Sequence, residues 1–203
     1  MKKNKSFREI RYEEKKKSMI VTAAKVFGKK GFHGTSIENI ANKMKMTKGS
    51  LYYYFSNKDE LLYQVHIFSL NEVIESIDKI SDSNDSPAIK FKKAITAHLK
   101  VLGENYEGSY MLQQEYLLPD NYRNDIVAIR NKYEKKFLHI LKEGKKQNVF
   151  SVKDYKITLF VILGAINWFL RWYSSDGPLK IEEIADKFAR LFLYGLLTRS
   201  GVE

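Results

Sequence analysis

The sequence predicts an all-α protein with a small N-terminal domain, residues 1–60, that contains a helix-turn-helix, and a larger helical domain, residues 61–203. Only 3 prolines occur among the 203 residues, so long stretches lack this helix breaker. Apolar residues in those stretches recur at three-and-four spacing rather than in strict alternation, which is the helical period. The composition, 44% hydrophobic and 29% charged, is that of a globular protein with a sizeable core.

The first helix is predicted from an apolar face that ends at Phe27. Ile20, Ala23 and Ala24 lie on the same face, lysines occupy the opposite one, and Gly31 ends the helix. Residues 1 to about 10 form a basic extension before it, which we expect to be partly disordered.

A second, short helix is predicted at Thr35-Ser36-Ile37-Glu38. This tetrapeptide has the form of a capping box, in which Thr35 and Glu38 satisfy backbone amides at a helix start. The buried stripe of this helix is then supplied by Ile37, Ile40, Ala41 and Met44.

A third helix starts at Thr47, because a hydroxyl at that position can cap the run that follows Lys45-Met46. Asn57, with Glu60 three residues later, marks the start of the next helix. The third helix is therefore only about seven residues long. Leu51 and Phe55 are its inward contacts, and the rest of its surface is presented outward.

The outward residues of this helix have the chemistry of a DNA groove contact. Thr47, Lys48 and Ser50 supply donors for base edges or phosphates, and Gly49 allows close approach. Hydroxyls at 52–54 can donate to phosphate, and Lys58 adds a charge. The alternative is a small bundle with an aromatic core face, but three successive tyrosines cannot all be buried.

The charge distribution favours the same interpretation. Residues 1–60 carry 15 Lys and Arg against 6 Asp and Glu, whereas residues 61–203 carry 20 against 18. A positive field at one end fits a polyanion, since each neutralised phosphate releases condensed counterions. A solvated lysine tail is the alternative explanation.

Further helices are predicted downstream, separated by a polar 81–87 loop, Gly108, Pro119-Asp120, the 147–151 segment and Asp176-Gly177-Pro178. The predicted ranges are 57–80, 88–105, 109–118, 121–147, 153–174 and 180–198. The last two are unusually apolar. One side of each is formed by Ile157, Phe160, Val161, Gly164, Ala165 and Trp168, and by Ile184, Ala185, Phe188, Leu191, Phe192 and Gly195. We expect these two helices to pair with a second copy in a two-fold dimer.

The run after Phe27, GKKGFHGTSIENIANKMKMTKGSLYYYFSNKDELL, closely resembles the N-terminal domain of the TetR family of bacterial repressors. The resemblance implies a three-helix DNA-binding domain followed by a helical ligand-binding and dimerisation domain. It implies a ligand-responsive repressor that binds palindromic operator DNA as a homodimer. Lys45 stands where the family usually has glycine in the turn, which implies a turn that is either slightly strained or differently shaped.

The resemblance also assigns roles by position. Groove contacts are implied for Thr47, Lys48, Gly49, Ser50 and Tyr52. Phosphate contacts are implied for Thr35, Tyr53, Tyr54 and Lys58, and Ser36 is added to this DNA-binding set.

The segment from Asn167 to Tyr173, with Asp176-Gly177-Pro178-Leu179 after it, resembles TetR-type regulators that sense fatty acyl-coenzyme A. The likeness extends to Arg130, Tyr133, Phe137 and Glu143-Gly144, although Asn148-Val149-Phe150 follows where the subgroup has a second glycine before Phe. A long-chain acyl-coenzyme A that releases the protein from DNA is the implied effector.

The predicted effector residues share one helix face, because Trp168, Arg171 and Trp172 are spaced i, i+3 and i+4. They could sandwich a base and pair with phosphate, or the two tryptophans could be core or dimer-interface residues. The remaining candidates are Asn167, Tyr106, Tyr110, Met111 and Tyr116.

Two alternatives for the effector stay open. A lipophilic cationic drug would suit carboxylates among aromatics, such as Glu104, Glu107 and Glu115 near those tyrosines. A constitutive repressor would have no effector at all.

Other classes of function lack support in the sequence. The chain has no cysteine and its 4 histidines are scattered, which argues against a metal site, a cofactor and enzymatic activity. It has no signal-peptide pattern and no 18-residue uncharged run, so we expect a cytoplasmic protein without a membrane partner.

Overall fold

The computed structural model of the chain describes residues 6–104, 109 and 114–196, and no β-strand occurs among them. Their helices are α1 (Phe7–Lys30), α2 (Ile37–Lys43), α3 (Lys48–Tyr52), α4 (Lys58–Ser81), α5 (Pro87–Glu104), a 3-10 helix (Glu115–Leu117), α6 (Asp120–Lys146), α7 (Tyr155–Trp172) and α8 (Ile181–Leu196). The predicted all-α fold class is confirmed.

Helix α1 begins earlier than predicted. Ser6 Oγ accepts from Glu9 N at 3.3 Å, and the Glu9 carboxylate accepts from Ser6 N at 2.7 Å. This capping box satisfies the free amides of the first turn, so residues 7–10 are helical and not an extension. The predicted end is confirmed at Gly31, whose φ of 70° suits glycine.

The chain divides into two compact units. The first contains the described residues of 1–68 and 107–126, and the second those of 69–106 and 127–203. The first unit therefore takes in more than the predicted residues 1–60, because the start of α6 belongs to it. Within this unit Tyr63 donates to Asp125 at 3.2 Å and stacks on Tyr122, which joins α4 to α6.

In the second unit α5 packs along α8. Gly103 lies against Ile181, where a Cβ would collide with the isoleucine side chain. Two ion pairs join the same helices, Lys92 to Asp186 at 2.6 Å and Lys100 to Glu182 at 3.2 Å. A third pair, Lys90 to Glu143, is largely buried and ties α5 to α6.

The turn after α6 forms without a second glycine. Asn148 takes a φ of 56°, which asparagine tolerates better than most residues. The amides of Val149 and Phe150 both donate to the Gly144 carbonyl, at 2.8 and 3.1 Å. The Phe150 ring then fills the space that a side chain at residue 144 would need.

One predicted helix differs from the structure. The described part of 109–118 includes the 3-10 helix Glu115–Leu117, while residues 110–113 lie outside the described residues. In α7 the core residues Ile162, Ile166 and Phe169 lie on a second apolar side, and the side expected to pair with a second copy is largely exposed.

Candidate nucleic-acid interface

The turn between α2 and α3 is tight, and residue 45 in it has a left-handed backbone conformation that favours glycine. Lys45 has a φ of 54°, and Met46 N closes the turn by donating to Ala41 O at 2.9 Å. A side chain in this region costs on the order of 1 kcal/mol, so the implied strain at Lys45 is present.

Thr47 starts α3 as predicted. Its Oγ1 accepts from Ser50 N at 3.1 Å and shares a hydrogen bond of 2.8 Å with Ser50 Oγ. Asn57 starts α4 in the same way, since its Oδ1 accepts from Glu60 N at 2.8 Å. Between these caps α3 is only five residues long, Lys48–Tyr52.

The two faces of this short helix are clearly different. Leu51 and Phe55 are buried, whereas Tyr53 is 70% exposed and Tyr52 is half-exposed. The Lys48 ammonium lies 5.8 Å from the centre of the Tyr52 ring. Gly49 is exposed, and a Cβ built there would meet only Thr47 Oγ1, at 4.0 Å.

An aromatic cluster supports the end of this segment. Tyr12 of α1 stacks on Tyr54 at 4.8 Å between ring centres and meets the edge of Tyr53 at 6.2 Å. Sequence reasoning missed Tyr12, because nothing in the local pattern places residue 12 beside residues 53 and 54.

The start of α2 differs from the prediction. Ser36, not Thr35, is the cap: Ser36 Oγ accepts from Asn39 N, and Asn39 Oδ1 accepts from Ser36 N, each at 3.1 Å. Thr35 is 2% exposed, and its hydroxyl donates to Gly31 O at 2.8 Å. The predicted capping box was wrong because Thr35 turns inward, which shifts the helix start by one residue.

Lys58 is partly buried and bonded to the chain itself. Its ammonium donates to Phe32 O and Thr35 O, both at 3.0 Å, and lies 4.2 Å from the Phe32 ring centre. These bonds hold the loop between α1 and α2 against the first residue of α4.

An open concavity collects half of the predicted DNA-binding residues. It is lined by Thr35, Ser36, Lys48, Tyr52 and Lys58, together with His33, Gly34, Ile37, Glu38 and Asn39. Thr47, Gly49, Ser50, Tyr53 and Tyr54 are outside this lining, on α3 and directly after it.

The predicted effector residues lie on an exposed side of α7. Trp168 is 64% exposed, and Asn167, Arg171 and Trp172 are exposed as well. Trp172 also contacts the rings of Phe169 and Phe188. Tyr116 is exposed on the 3-10 helix, and Tyr106, Tyr110 and Met111 lie outside the described residues.

Of the residues named upstream from the acyl-coenzyme A resemblance, Tyr133, Phe137 and Gly144 are buried in the second unit. Arg130 and Glu143 are partly buried. Tyr133 is buried beside Phe137 and forms a hydrogen bond of 2.5 Å with His98 Nδ1. Burial lowers the pKa of His98 to about 3 and raises the pKa of Tyr133. This buried polar pair was not foreseen.

Both of the last two helices expose apolar side chains and glycines. Those on α7 include Ile157, Phe160, Val161, Gly164 and Trp168, and those on α8 include Leu191, Tyr194 and Gly195. We call this set the α7–α8 face.

Among the described residues, no group of three His, Cys, Asp or Glu could hold a metal ion. No helix in the described part of the chain is both long and apolar enough to cross a membrane.

Comparisons with known proteins agree with this architecture. Residues 19–65 match the family model described as "Bacterial regulatory proteins, tetR family". Residues 84–196, more than half of the chain, match the model described as "Tetracyclin repressor-like, C-terminal domain".

Similar proteins span nearly the whole chain. The transcriptional repressor KstR2 of Mycolicibacterium smegmatis is 26% identical over 187 residues, 90% of this chain and 91% of that protein. The crystal structure of the regulator PfmR of Thermus thermophilus superposes with a TM-score of 0.82 at 29% identity, over 87% of this chain and 97% of that one. AibR in complex with isovaleryl coenzyme A and operator DNA superposes with a TM-score of 0.78 at 23% identity, over 87% and 96%. With family models matching both halves of its sequence, the chain belongs to the TetR family of bacterial transcriptional regulators.

Proposed function

We propose that this regulator is a repressor that binds palindromic operator DNA as a homodimer and is released by a small hydrophobic effector. DNA binding is proposed because of α3, a five-residue helix in which Leu51 points inward and Lys48, Gly49 and Tyr52 form the outward surface. A helix this short buries little, so its outward residues serve recognition and not the core.

The α7–α8 face supports the dimer. Its apolar side chains are exposed in the single chain, and pairing of two copies would bury them. A two-fold dimer also has two N-terminal DNA-binding domains, which matches an operator with inverted-repeat symmetry.

We infer that a fatty acyl-coenzyme A is the effector class. Arg171 is an exposed cation next to Trp172, a pairing suited to a phosphate-bearing head group with an aromatic base. AibR, which has the same fold, was crystallised with isovaleryl coenzyme A and operator DNA. Trp168 has a competing role in the dimer, since it also belongs to the α7–α8 face.

The proposed release is a population shift. The effector must bind the dimer conformation that cannot bind DNA more tightly than the conformation that can. A 100-fold preference for the first corresponds to about 2.7 kcal/mol. Helix α4 is the proposed lever, because it begins six residues after α3 and continues from the first unit into the second.

The DNA part is tested by selecting duplexes from a random library and titrating them with wild type, Lys48→Ala and Tyr53→Phe. Both variants should stay folded and bind more weakly, and loss of the Lys48 charge should lower the salt slope by about one. If both variants keep wild-type affinity at several salt concentrations, α3 is not the recognition helix.

The effector part is tested by calorimetry with a long-chain acyl-coenzyme A, the free fatty acid and a cationic dye. We expect the thioester to bind wild type and to bind Arg171→Ala more weakly. Tight dye binding without thioester binding would favour the drug-sensing alternative. Trp168→Ala should be measured by sedimentation as well as by calorimetry. If this variant loses dimerisation but still binds the thioester, Trp168 belongs to the dimer interface.

A further inference from the structure

A second basic concavity lies beside the proposed operator surface. It is an open cleft of about 680 Å³ between α1 and α2. Its lining includes Lys25, Lys29, Lys30 and Lys43, with Thr22 and Asn39 as polar groups. We call it the lysine cleft, and every charged residue in its lining is a lysine.

Asn39 connects the lysine cleft to the operator surface. It lines both this cleft and the concavity that contains Lys48 and Tyr52. Because Asn39 Oδ1 accepts from Ser36 N, the Nδ2 group at the other end of the amide has its two N–H donors turned away from that bond. Such donors can bind a phosphate oxygen.

The helix dipoles explain why some lysines of the cleft occur at their positions, but they do not explain all of them. Lys29 and Lys30 lie in the last turn of α1 and Lys43 in the last turn of α2, where a cation is stabilised by the helix C-terminus. Lys25 lies in the interior of α1, and its charge faces the same cleft. Lys25, Lys30 and Lys43 bring three cations to a concavity whose lining contains no carboxylate, so an anion bound there would reduce their mutual repulsion.

We propose that the lysine cleft is a second DNA-backbone contact, which holds phosphates of the same duplex outside the palindrome read by α3. The inference rests on the proposed function and extends it, since it makes affinity depend on DNA beyond the recognised bases. A duplex is favoured over an acidic protein because the cleft continues the operator surface through Asn39.

The experiment compares two duplexes that contain the same selected palindrome. One ends at the palindrome, and the other extends by about one turn of DNA, roughly 10 base pairs, on each side. The proteins are wild type, Lys25→Gln/Lys30→Gln/Lys43→Gln, and the control Lys132→Gln/Lys135→Gln/Lys142→Gln. The control removes the same charge from exposed positions of the second unit.

We expect the cleft variant to lose affinity for the long duplex alone, with a salt slope lower by about 2 to 3 than that of wild type. The control should match wild type on both duplexes, and melting temperatures should show that the cleft variant is folded. Equal losses on both duplexes, or no loss on either, would overturn the inference. If wild type prefers neither duplex over random DNA, the proposed function fails instead.

Discussion

The ammonium group of Lys58 donates a hydrogen bond of 3.0 Å to the backbone carbonyl of Thr35. A second bond of the same length reaches the carbonyl of Phe32. The first residue of α4 thereby fixes the loop that ends at Ser36, the cap of α2. Lys58 and Thr35, both predicted from the sequence to hold phosphate, hold this loop together in the structure.

Lys58→Met is expected to lower the free energy of unfolding by about 1 to 3 kcal/mol, because two carbonyls lose a charged donor. Urea denaturation measures this loss. The control is Lys48→Met, whose lysine is exposed and should change stability little. If Lys58→Met leaves stability unchanged and lowers the salt slope of operator binding by about one, Lys58 is a phosphate ligand instead.

Gly49→Ala should raise the stability of the protein and weaken its binding to DNA. The structure leaves room for a methyl group at residue 49, and alanine in place of glycine favours a helix by about 0.5 to 1 kcal/mol. We expect a slightly more stable protein that binds operator at least about tenfold more weakly, equivalent to about 1.4 kcal/mol, because the methyl group prevents close approach to DNA. Thermal melting and fluorescence anisotropy provide the two measurements. Unchanged affinity would mean that residue 49 does not approach DNA closely.

Val161→Glu should weaken the dimer. Val161 is 61% exposed at the middle of the α7–α8 face, and an unpaired carboxylate buried in an apolar interface costs several kcal/mol. We expect a folded monomer at micromolar concentration in analytical ultracentrifugation, with operator affinity lost. Ile89→Glu, at an exposed position of α5, is the matched control and should remain a dimer. A Val161→Glu protein that sediments like wild type would exclude this face as the interface.

Stability should fall as the pH is lowered from about 6.5 to about 4. Burial lowers the pKa of His66 to about 4 and that of His98 to about 3, so both are neutral in the folded protein within this window. The unfolded chain protonates them near pH 6.5, so it binds more protons and is favoured. At pH 5 each histidine should cost on the order of 2 kcal/mol relative to pH 7, as measured by urea denaturation.

Single substitutions test the origin of this pH dependence. His66→Gln and His98→Gln should each reduce the difference between pH 7 and pH 5. His139→Gln, at an exposed position, should leave it unchanged. If neither buried substitution reduces the difference, other groups cause the acid sensitivity.

Much of the first unit follows from local signals. Caps at Thr47 and Asn57 and a glycine stop at Gly31 depend on residues within a few positions of one another, so they can be read from the sequence. The same signals delimit α3 and identify its outward residues. The strained turn at Lys45 was implied by the resemblance to the TetR family, which usually has glycine at this position.

The sequence by itself determined the all-α fold class, the family and the helix order, because periodicity, caps and motif spacing are local properties of the chain. Tertiary structure alone decided which apolar side of α7 faces the core, since that helix is apolar on more than one side. It also decided that Thr35 turns inward, that Lys58 bonds to two carbonyls, and that Tyr12 lies against Tyr54. These outcomes depend on packing between residues far apart in sequence, and no local pattern encodes which distant partner a side chain meets.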